Sequence, residues 1–510
     1  MPTVPQSEVT PLKLDELTIT DLQDGMNSGR FTARSLVESY LRRIDEIDRS
    51  GPCLNSVIEL NPDALAIADT LDLERQAKRV RGPLHGVSVL LKDNLDTADR
   101  MMTTAGSRAL VGSRPPIDSF VARRLREAGA VILGKTNMSE WAYIRSRKAT
   151  SGWSGRGGLT RNPYALDRNP CGSSSGSGVA VSANLCGAAI GTETDGSIVC
   201  PASTNGIVGI KPTVGLISRS GIIPISHTQD SAGPMCRTVS DAAIVLGALT
   251  GIDPDDDATS DSPIPSVFQY TQYLDRDGLK GARIGVVRHY FAYPASPLME
   301  AALEVMRGQG AVLVDPAAIE TIGKFDRSER TLLLYELKAD LNAYLARLGP
   351  DAPVHTLREV IEFNLRNAST ELRYFGQDLL LEADAKGSLT SPEYLAALAN
   401  NHAMARMQGI DAAMDKWRLD ALVAPVTGPA WVTDLVTGDH IIGGGSQLAA
   451  VAGYPSVNVP AGFIFGLPVG ISFFGRAWSE PTLLRLAFAF EQASNVRKTP
   501  RFLPSADLSE

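Results

Sequence analysis

The sequence predicts an α/β fold: one large mixed β-sheet core, assembled from strands near both ends of the chain and covered by helices on both faces. Three observations predict it. Short apolar runs rich in branched residues, Val87–Leu91 and Ala130–Leu133, are bounded by Gly, Pro or Asn, the pattern of strands buried on both sides. Between them, residues 118–128 (DSFVARRLREA) alternate as an amphipathic helix, and strand, helix, strand is the mark of a crossover unit. Strand signals return far downstream at Ala421–Val426, Ser456–Val459 and Pro468–Phe474. A chain of 510 residues suggests about three domains at ~150 residues each, but strands at both ends of one sheet argue for a single unit, 1–510.

In chain order, residues 1–80 read as a helical segment. Thr20-Asp21-Leu22-Gln23 has capping-box spacing. From Thr32 the apolar residues Leu36, Tyr40, Leu41, Ile44 and Ile47 recur at helical spacing, and Gly51-Pro52 ends the run. Residues 81–252 form a core in which a Gly/Ser/Thr/Pro-dense region, 150–235, interleaves with the apolar segments Val179–Val181, Ala188–Ile190 and Ile207–Ile210. Loops that grip something have that mixture, whereas a tail-like linker lacks the apolar part. Acidic, Pro-containing 253–267 is the linker candidate. A strand at Ala282–Val287 then opens a largely helical insertion, 268–420. Residues 421–510 return to the sheet and close with a helix over Pro481–Gln492.

Composition excludes several function classes. Hydrophobic residues are 44% and charged residues 21%, ordinary for a globular chain with a large core, and the net charge of −8 offers no basic field to nucleic acid or anionic lipid. No nucleic-acid or membrane partner is therefore expected. The N-terminal MPTVPQSEVTPLKLDEL has no apolar run, so a cytoplasmic location is expected for the chain as given, export of a longer precursor aside. The five cysteines (Cys53, Cys171, Cys186, Cys200, Cys236) are an odd number without CxxC pairs, so reduced thiols are expected, with Cys171, Cys186 and Cys200 as small buried hydrophobes. Six sparse histidines in no metal spacing, and the absence of GxGxxG and GxxxxGK[ST], leave no cofactor and no metal in the expectation.

Two serine-bearing segments could carry chemistry: Pro170-Cys171-Gly172-Ser173-Ser174-Ser175-Gly176-Ser177-Gly178, and Gly191-Thr192-Glu193-Thr194-Asp195-Gly196-Ser197-Ile198. Gly172–Gly176 formally fits the nucleophile elbow, with Ser174 attacking and His289, His355, His402 or His440 as base. A lysine base is the other route. It must be desolvated and neutral, because an ammonium cannot accept a serine proton. Lys92, Lys135 and Lys211 each follow an apolar run, and no SxxK arrangement exists, so position alone does not choose among them.

Taken together, these segments resemble the amidase signature family of serine hydrolases. Pro83–Asn94 is similar to its lysine motif, Gly172–Ser177 to its Gly/Ser-rich signature, Gly191–Ser197 to its nucleophile loop and Gly206–Thr213 to the strand that follows. Gly466–Gly470 and Glu491 also resemble it. Within the family, Gly134–Asn137, Glu140-Trp141, Ser151–Ser154 and Gly191–Pro201 resemble the bacterial peptide amidases. The usual loop carries a second Gly, an Arg and an Asp where this chain has Asp195, Val199 and Glu193. The resemblance implies a Ser-Ser-Lys triad: Ser197 the nucleophile, Ser173 the bridging serine held through a cis peptide bond, and Lys92 the general base. It also implies an oxyanion hole from the backbone N–H groups of Thr194, Asp195, Gly196 and Ser197.

The expected activity is that of an amidase, releasing ammonia from the C-terminal amide of peptides through an acyl-enzyme. A general aliphatic or aryl amidase, or the glutaminase subunit of a tRNA-dependent amidotransferase, is the alternative. A non-catalytic binding protein on the same scaffold is a third reading. The expected partner is a small-molecule or peptide amide substrate, and the expected assembly a monomer or homodimer. Trp141 and Trp153 are assigned to the cleft wall or the core, and Lys135 and Lys211 to structural roles.

Overall fold

The computed structural model describes residues 13–263 and 269–509. The N-terminal segment read as lacking a signal lies largely outside them, as does part of the linker candidate. Among the described residues the strands are β1 (Val57–Leu60), β2 (Ser88–Lys92), β3 (Val131–Thr136), β4 (Trp153–Ser154), β5 (Gly158–Leu159), β6 (Ala188–Glu193), β7 (Val208–Lys211), β8 (Ser231–Cys236), β9 (Arg283–Val286), β10 (Val312–Val314), β11 (Ala421–Pro425), β12 (Ser456–Ile464) and β13 (Leu467–Phe474). Eleven of them make one sheet, in the order β1-β3-β2-β6-β8-β7-β12-β13-β11-β9-β10, and β4 with β5 makes a separate hairpin. The expected single mixed sheet covered by helices is thus present.

The crossover read from 87–133 is there: β2 and β3 are parallel, joined through the helix Phe120–Glu127. Strand β2 is also parallel to β6, whereas the pairs β6–β8, β8–β7 and β7–β12 are antiparallel. The C-terminal hairpin β12–β13 sits between β7 and β11, so the last strands of the chain lie in the interior of the sheet while β1 forms one edge. Val89, Leu90, Ile132, Ile190, Val208, Val457 and Ile471 are fully buried along it. Each such side chain contributes about 1.5–3 kcal/mol by leaving water.

One local reading is corrected. The first helix, Ile19–Asn27, is capped by Thr18, whose hydroxyl accepts from Asp21 N–H while Asp21 returns a bond, so the box lies two residues before Thr20. The acidic stretch is anchored where it starts: Asp253 accepts from the Ser218 hydroxyl at 2.6 Å, and Arg219 bonds Asp256. Strand β8 was not expected, since its Gly233-Pro234 reads as a turn. Gly233 is required there, because a Cβ would lie 1.9 Å from the Ile210 carbonyl of neighbouring β7. Among the described residues, no helix is long and apolar enough to cross a membrane.

One buried ion pair fixes the wall that approaches the sheet's edge. Arg145 and Glu140 are 2.5 Å apart and almost wholly inaccessible. The Arg145 guanidinium also donates to the Phe375 and Gly376 carbonyls and stacks 4.1 Å from the Phe375 ring centroid. Removing the cation alone leaves a buried carboxylate uncompensated, so Arg145→Met is expected to cost about 3–5 kcal/mol. Urea unfolding at pH 7 measures it, and a loss below about 1 kcal/mol contradicts this reading.

Candidate active site

Strands β2 and β6 are parallel neighbours, so their C-terminal ends, Lys92 and Glu193, reach the same edge of the sheet. Crevices outside such ends are where α/β sheets bind ligands. Residues 170–174 arrive at this edge on the way into the helix Ser175–Ser182, and residues 194–198 leave it between β6 and the helix Val199–Thr204. The Ser174 N–H donates to the Ser197 carbonyl at 3.1 Å, tying the two segments together.

Lys92 is fully buried. Its Nζ lies 2.8 Å from Ser173 Oγ, 2.8 Å from Thr192 Oγ1 and 3.0 Å from the Thr192 carbonyl. Asn94 Nδ2 donates to the same Thr192 Oγ1 at 3.0 Å. Burial pushes the amine down to about 7, although Asp230 and Glu193 nearby favour its charge. A neutral amine has two N–H donors and one lone pair. The Thr192 carbonyl can only accept, and with Thr192 Oγ1 it takes both donors. The lone pair is then left facing the Ser173 hydroxyl.

The peptide bond Gly172–Ser173 is cis. Ser197 Oγ makes no hydrogen bond among the described residues, and Ser173 and Ser197 line one cleft of about 680 Å³. The N–H groups of Thr194, Asp195 and Ser197 are likewise without a hydrogen-bond partner among the described residues, whereas the Gly196 N–H bonds the Glu193 carboxylate. Glu193 also accepts from the Ile198 and Val199 N–H groups at 2.6 and 3.0 Å, which holds the loop's exit into its helix. Burial raises its pKa, with Lys211 pulling the other way.

The remaining candidates separate by their partners. Lys135 donates to the Leu95 carbonyl and Thr103, and Lys211 to the Pro212 carbonyl, so neither meets a serine. Ser174 is fully buried, donates to the Thr192 carbonyl at 3.1 Å and accepts from the Thr192 N–H at 3.2 Å. It pins the two segments and does not project as an elbow would. No histidine lines the cleft. Trp141 and Trp153 are both core residues. His227 lies with Glu336 and Asp340 in a group of metal-ligating type, but both ring nitrogens face carboxylate oxygens, Nδ1 at 2.9 Å from Asp340.

The cysteine expectation needs correction. Cys171 and Cys200 form a disulfide, while Cys53, Cys186 and Cys236 are free. The partners are 29 residues apart, without a spacing motif, and only the meeting of the two serine segments brings them together.

Several cleft residues had no signal in the sequence. Tyr143, Leu333, Leu334, Leu379, Ile441 and Ser446 line it, coming from the 141–147 turn, the helices Asp326–Arg347 and Asp378–Asp384, and distant loops. Trp141, Ala142 and Tyr143 all have positive φ, which costs about 1–2 kcal/mol per non-glycine residue and holds Tyr143 to the cleft wall, where it bonds Asp439. Asp195 accepts from Ser446 Oγ at 2.6 Å, and Glu329 from Gln229 and Gln447. Burial pushes both carboxyls up, with the charge of Glu193 adding to it at Asp195 and that of Asp195 at Glu329.

Residues 35–484 match the family model described as Amidase. The chain is 45% identical over 500 residues to a probable amidase of Arabidopsis thaliana, covering 96% of this chain and 92% of that one. It is 33% identical over 504 residues to a glutamyl-tRNA(Gln) amidotransferase component of Halorhodospira halophila, covering 95% and 99%. It superimposes on the crystal structure of the native peptide amidase from Stenotrophomonas maltophilia with a TM-score of 0.91 at 52% identity, covering 96% of this chain and 99% of that one.

Proposed function

The chain belongs to the amidase family and is an amide-hydrolysing enzyme; from that premise we propose that it hydrolyses the C-terminal amide of peptides to the free acid and ammonia, through an acyl-enzyme on Ser197. The observation that carries the mechanism is the Lys92–Ser173 hydrogen bond at the head of the cleft onto which Ser197 opens. Neutral Lys92 takes the Ser173 proton as Ser173 takes that of Ser197, whose Oγ attacks the amide carbon. The oxyanion that forms meets the unengaged N–H groups of Thr194, Asp195 and Ser197, and each such donor is worth on the order of 2.7–4 kcal/mol. The proton returns through Ser173 to the leaving nitrogen, ammonia departs, and water hydrolyses the ester by the same route.

The peptide-amide substrate is supported by the likeness to the peptide amidase and by the cleft itself. Its volume of about 680 Å³ exceeds what a free amino acid amide fills, and Leu333, Leu334, Leu379 and Ile441 give it apolar walls. The likeness to amidotransferase components makes glutamine the second reading. A free α-carboxylate needs a cation. Val199 stands where the family's loop usually carries Arg, Arg147 at the rim is engaged by Asp378 and Glu382, and Arg330, the other cation lining the cleft, is exposed to water on the helix Asp326–Arg347.

Ammonia release from a dipeptide amide, glutamine and a simple aliphatic amide, with wild type and Ser197→Ala, tests this reading. The expected result is kcat/KM for the dipeptide amide at least about 10²-fold above glutamine, since a carboxylate buried without a partner costs several kcal/mol. Internal peptide bonds should stay intact. Equal or higher efficiency with glutamine overturns the substrate assignment, and ammonia release only from the aliphatic amide makes this a general amidase.

A further inference from the structure

We propose that the Cys171–Cys200 disulfide is a positioning clamp for the reaction, so that amide hydrolysis runs at full rate only while it is oxidised and a dithiol reductant turns it down. This rests on the Ser197–Ser173–Lys92 reading above. Cys171 stands two residues before Ser173 and Cys200 three after Ser197, with their Cα atoms 6.0 Å apart. The bond therefore spans the two segments whose relative placement decides whether Ser173 can pass a proton to Ser197.

Other ties between these segments lie to either side of the bond. The Thr204 hydroxyl and Asn205 amide donate to the Pro170 carbonyl at 2.8 and 2.9 Å, and the Ser174 N–H to the Ser197 carbonyl. These hold the loops in the same neighbourhood without the disulfide, so its loss should shift the site and leave the fold standing. The sulfurs sit in a closely packed cluster with Val199, Val426 and Trp431. Two thiols in van der Waals contact occupy more length than a covalent bond, and a packed cluster accommodates that only by moving its backbone. A displacement of the order of 1 Å at reacting groups costs about 10²-fold in rate.

Both cysteines line the open cleft, so a small reductant reaches them by the substrate's own route. One thiolate of the dithiol attacks a cysteine sulfur and expels the other cysteine as thiolate. The second thiol of the reductant then displaces the first cysteine and closes the reductant's own disulfide. Two electrons and two protons pass from dithiol to protein, and an oxidised dithiol reverses the exchange. The three free cysteines lie outside the cleft, Cys53 at the surface and Cys186 and Cys236 in the core. Disulfides persist in oxidising compartments and are kept reduced in the cytosol, so the full rate belongs to the former.

The experiment uses the full chain with a dipeptide amide and dithiothreitol, counting thiols after denaturation. Three thiols are expected before reduction and five after it. On reduction kcat is expected to fall by about tenfold to 10²-fold, with KM changed by less than about threefold, an unchanged circular dichroism spectrum and full recovery on reoxidation. The Cys171→Ala/Cys200→Ala variant should show the reduced enzyme's kcat and ignore dithiothreitol. Five thiols before reduction, undiminished kcat after it, or inhibition that persists in the double variant each overturns the clamp. Ser197→Ala run alongside keeps the failures apart. Activity surviving there removes the site reading itself; activity lost there but untouched by reduction removes only the clamp.

Discussion

Replacing Ser197 with alanine is expected to lower kcat for a peptide amide by on the order of 10⁶-fold, and adding Ser173→Ala should lower it barely further. Residues that act as one relay are not additive: once the attacking oxygen is gone, the groups that would have taken its proton have nothing to accept. What remains is binding and the N–H donors of the 194–197 loop, together worth about 10³–10⁴ over water in enzymes of comparable design. Ser173→Ala alone is the more informative variant. It removes the hydroxyl 2.8 Å from Lys92 Nζ while leaving Ser197 and the loop in place, and it should abolish the rapid acylation burst in stopped-flow. Ser174→Ala, one residue on, removes only the bonds to Thr192 and should keep the burst. If Ser173→Ala retained the burst and Ser174→Ala lost it, the relay would run through the wrong serine.

That the two adjacent serines differ so sharply shows where sequence reading reaches and where it stops. The order and spacing of the motifs bring out Lys92, Ser173 and Ser197, and the structure seats all three at one edge of the sheet. Burial alone could not have selected Lys92, since Lys135 and Lys211 are equally inaccessible. The difference lies in partners: two carbonyls and a threonine for the others, a serine hydroxyl for Lys92. Such information is three-dimensional and leaves no local trace. The disulfide is a second case, because the chain between two cysteines 29 positions apart folds into a helix and strand that return it to its starting point. Strand β8 is a third. Local chemistry at Gly233-Pro234 argues for a turn, and the sheet overrides it because the close approach of Ile210 demands glycine. The tertiary walls of the cleft, from Tyr143 to Ser446, belong to the same class, being contributed by segments that carry no motif at all.

Lys92→Met should lose activity by at least about 10⁴-fold and, at acid pH, gain stability relative to what its lost hydrogen bonds alone would allow. The activity follows from the base assignment. With the amine at about 7, wild-type kcat/KM should rise with unit slope up to about pH 7 and level off above it, as a base that must be neutral requires. Lys92→Arg keeps a cation at the same place but cannot be deprotonated, so it should be as inactive as the methionine variant; an arginine enzyme with wild-type rate would show that charge and not basicity is needed. The stability follows from the same shift. Burial lowers the folded-state value from 10.5 to about 7, so between these limits the unfolded chain holds a proton that the folded chain lacks, and wild-type stability rises with pH by about 1.4 kcal/mol per unit. Below pH 7 the destabilising contribution is complete; towards pH 10.5 it vanishes. Methionine has no such dependence. Its lost bonds to Thr192 and Ser173 cost a fixed amount, about 1–3 kcal/mol, so the stability difference between the two proteins should move in favour of wild type as pH rises from 7 to 9. Urea midpoints at pH 6, 7.5 and 9 read this directly. A difference that stays constant across that range would mean Lys92 is not held neutral by its burial, and the proton relay from Ser197 would then lack its acceptor.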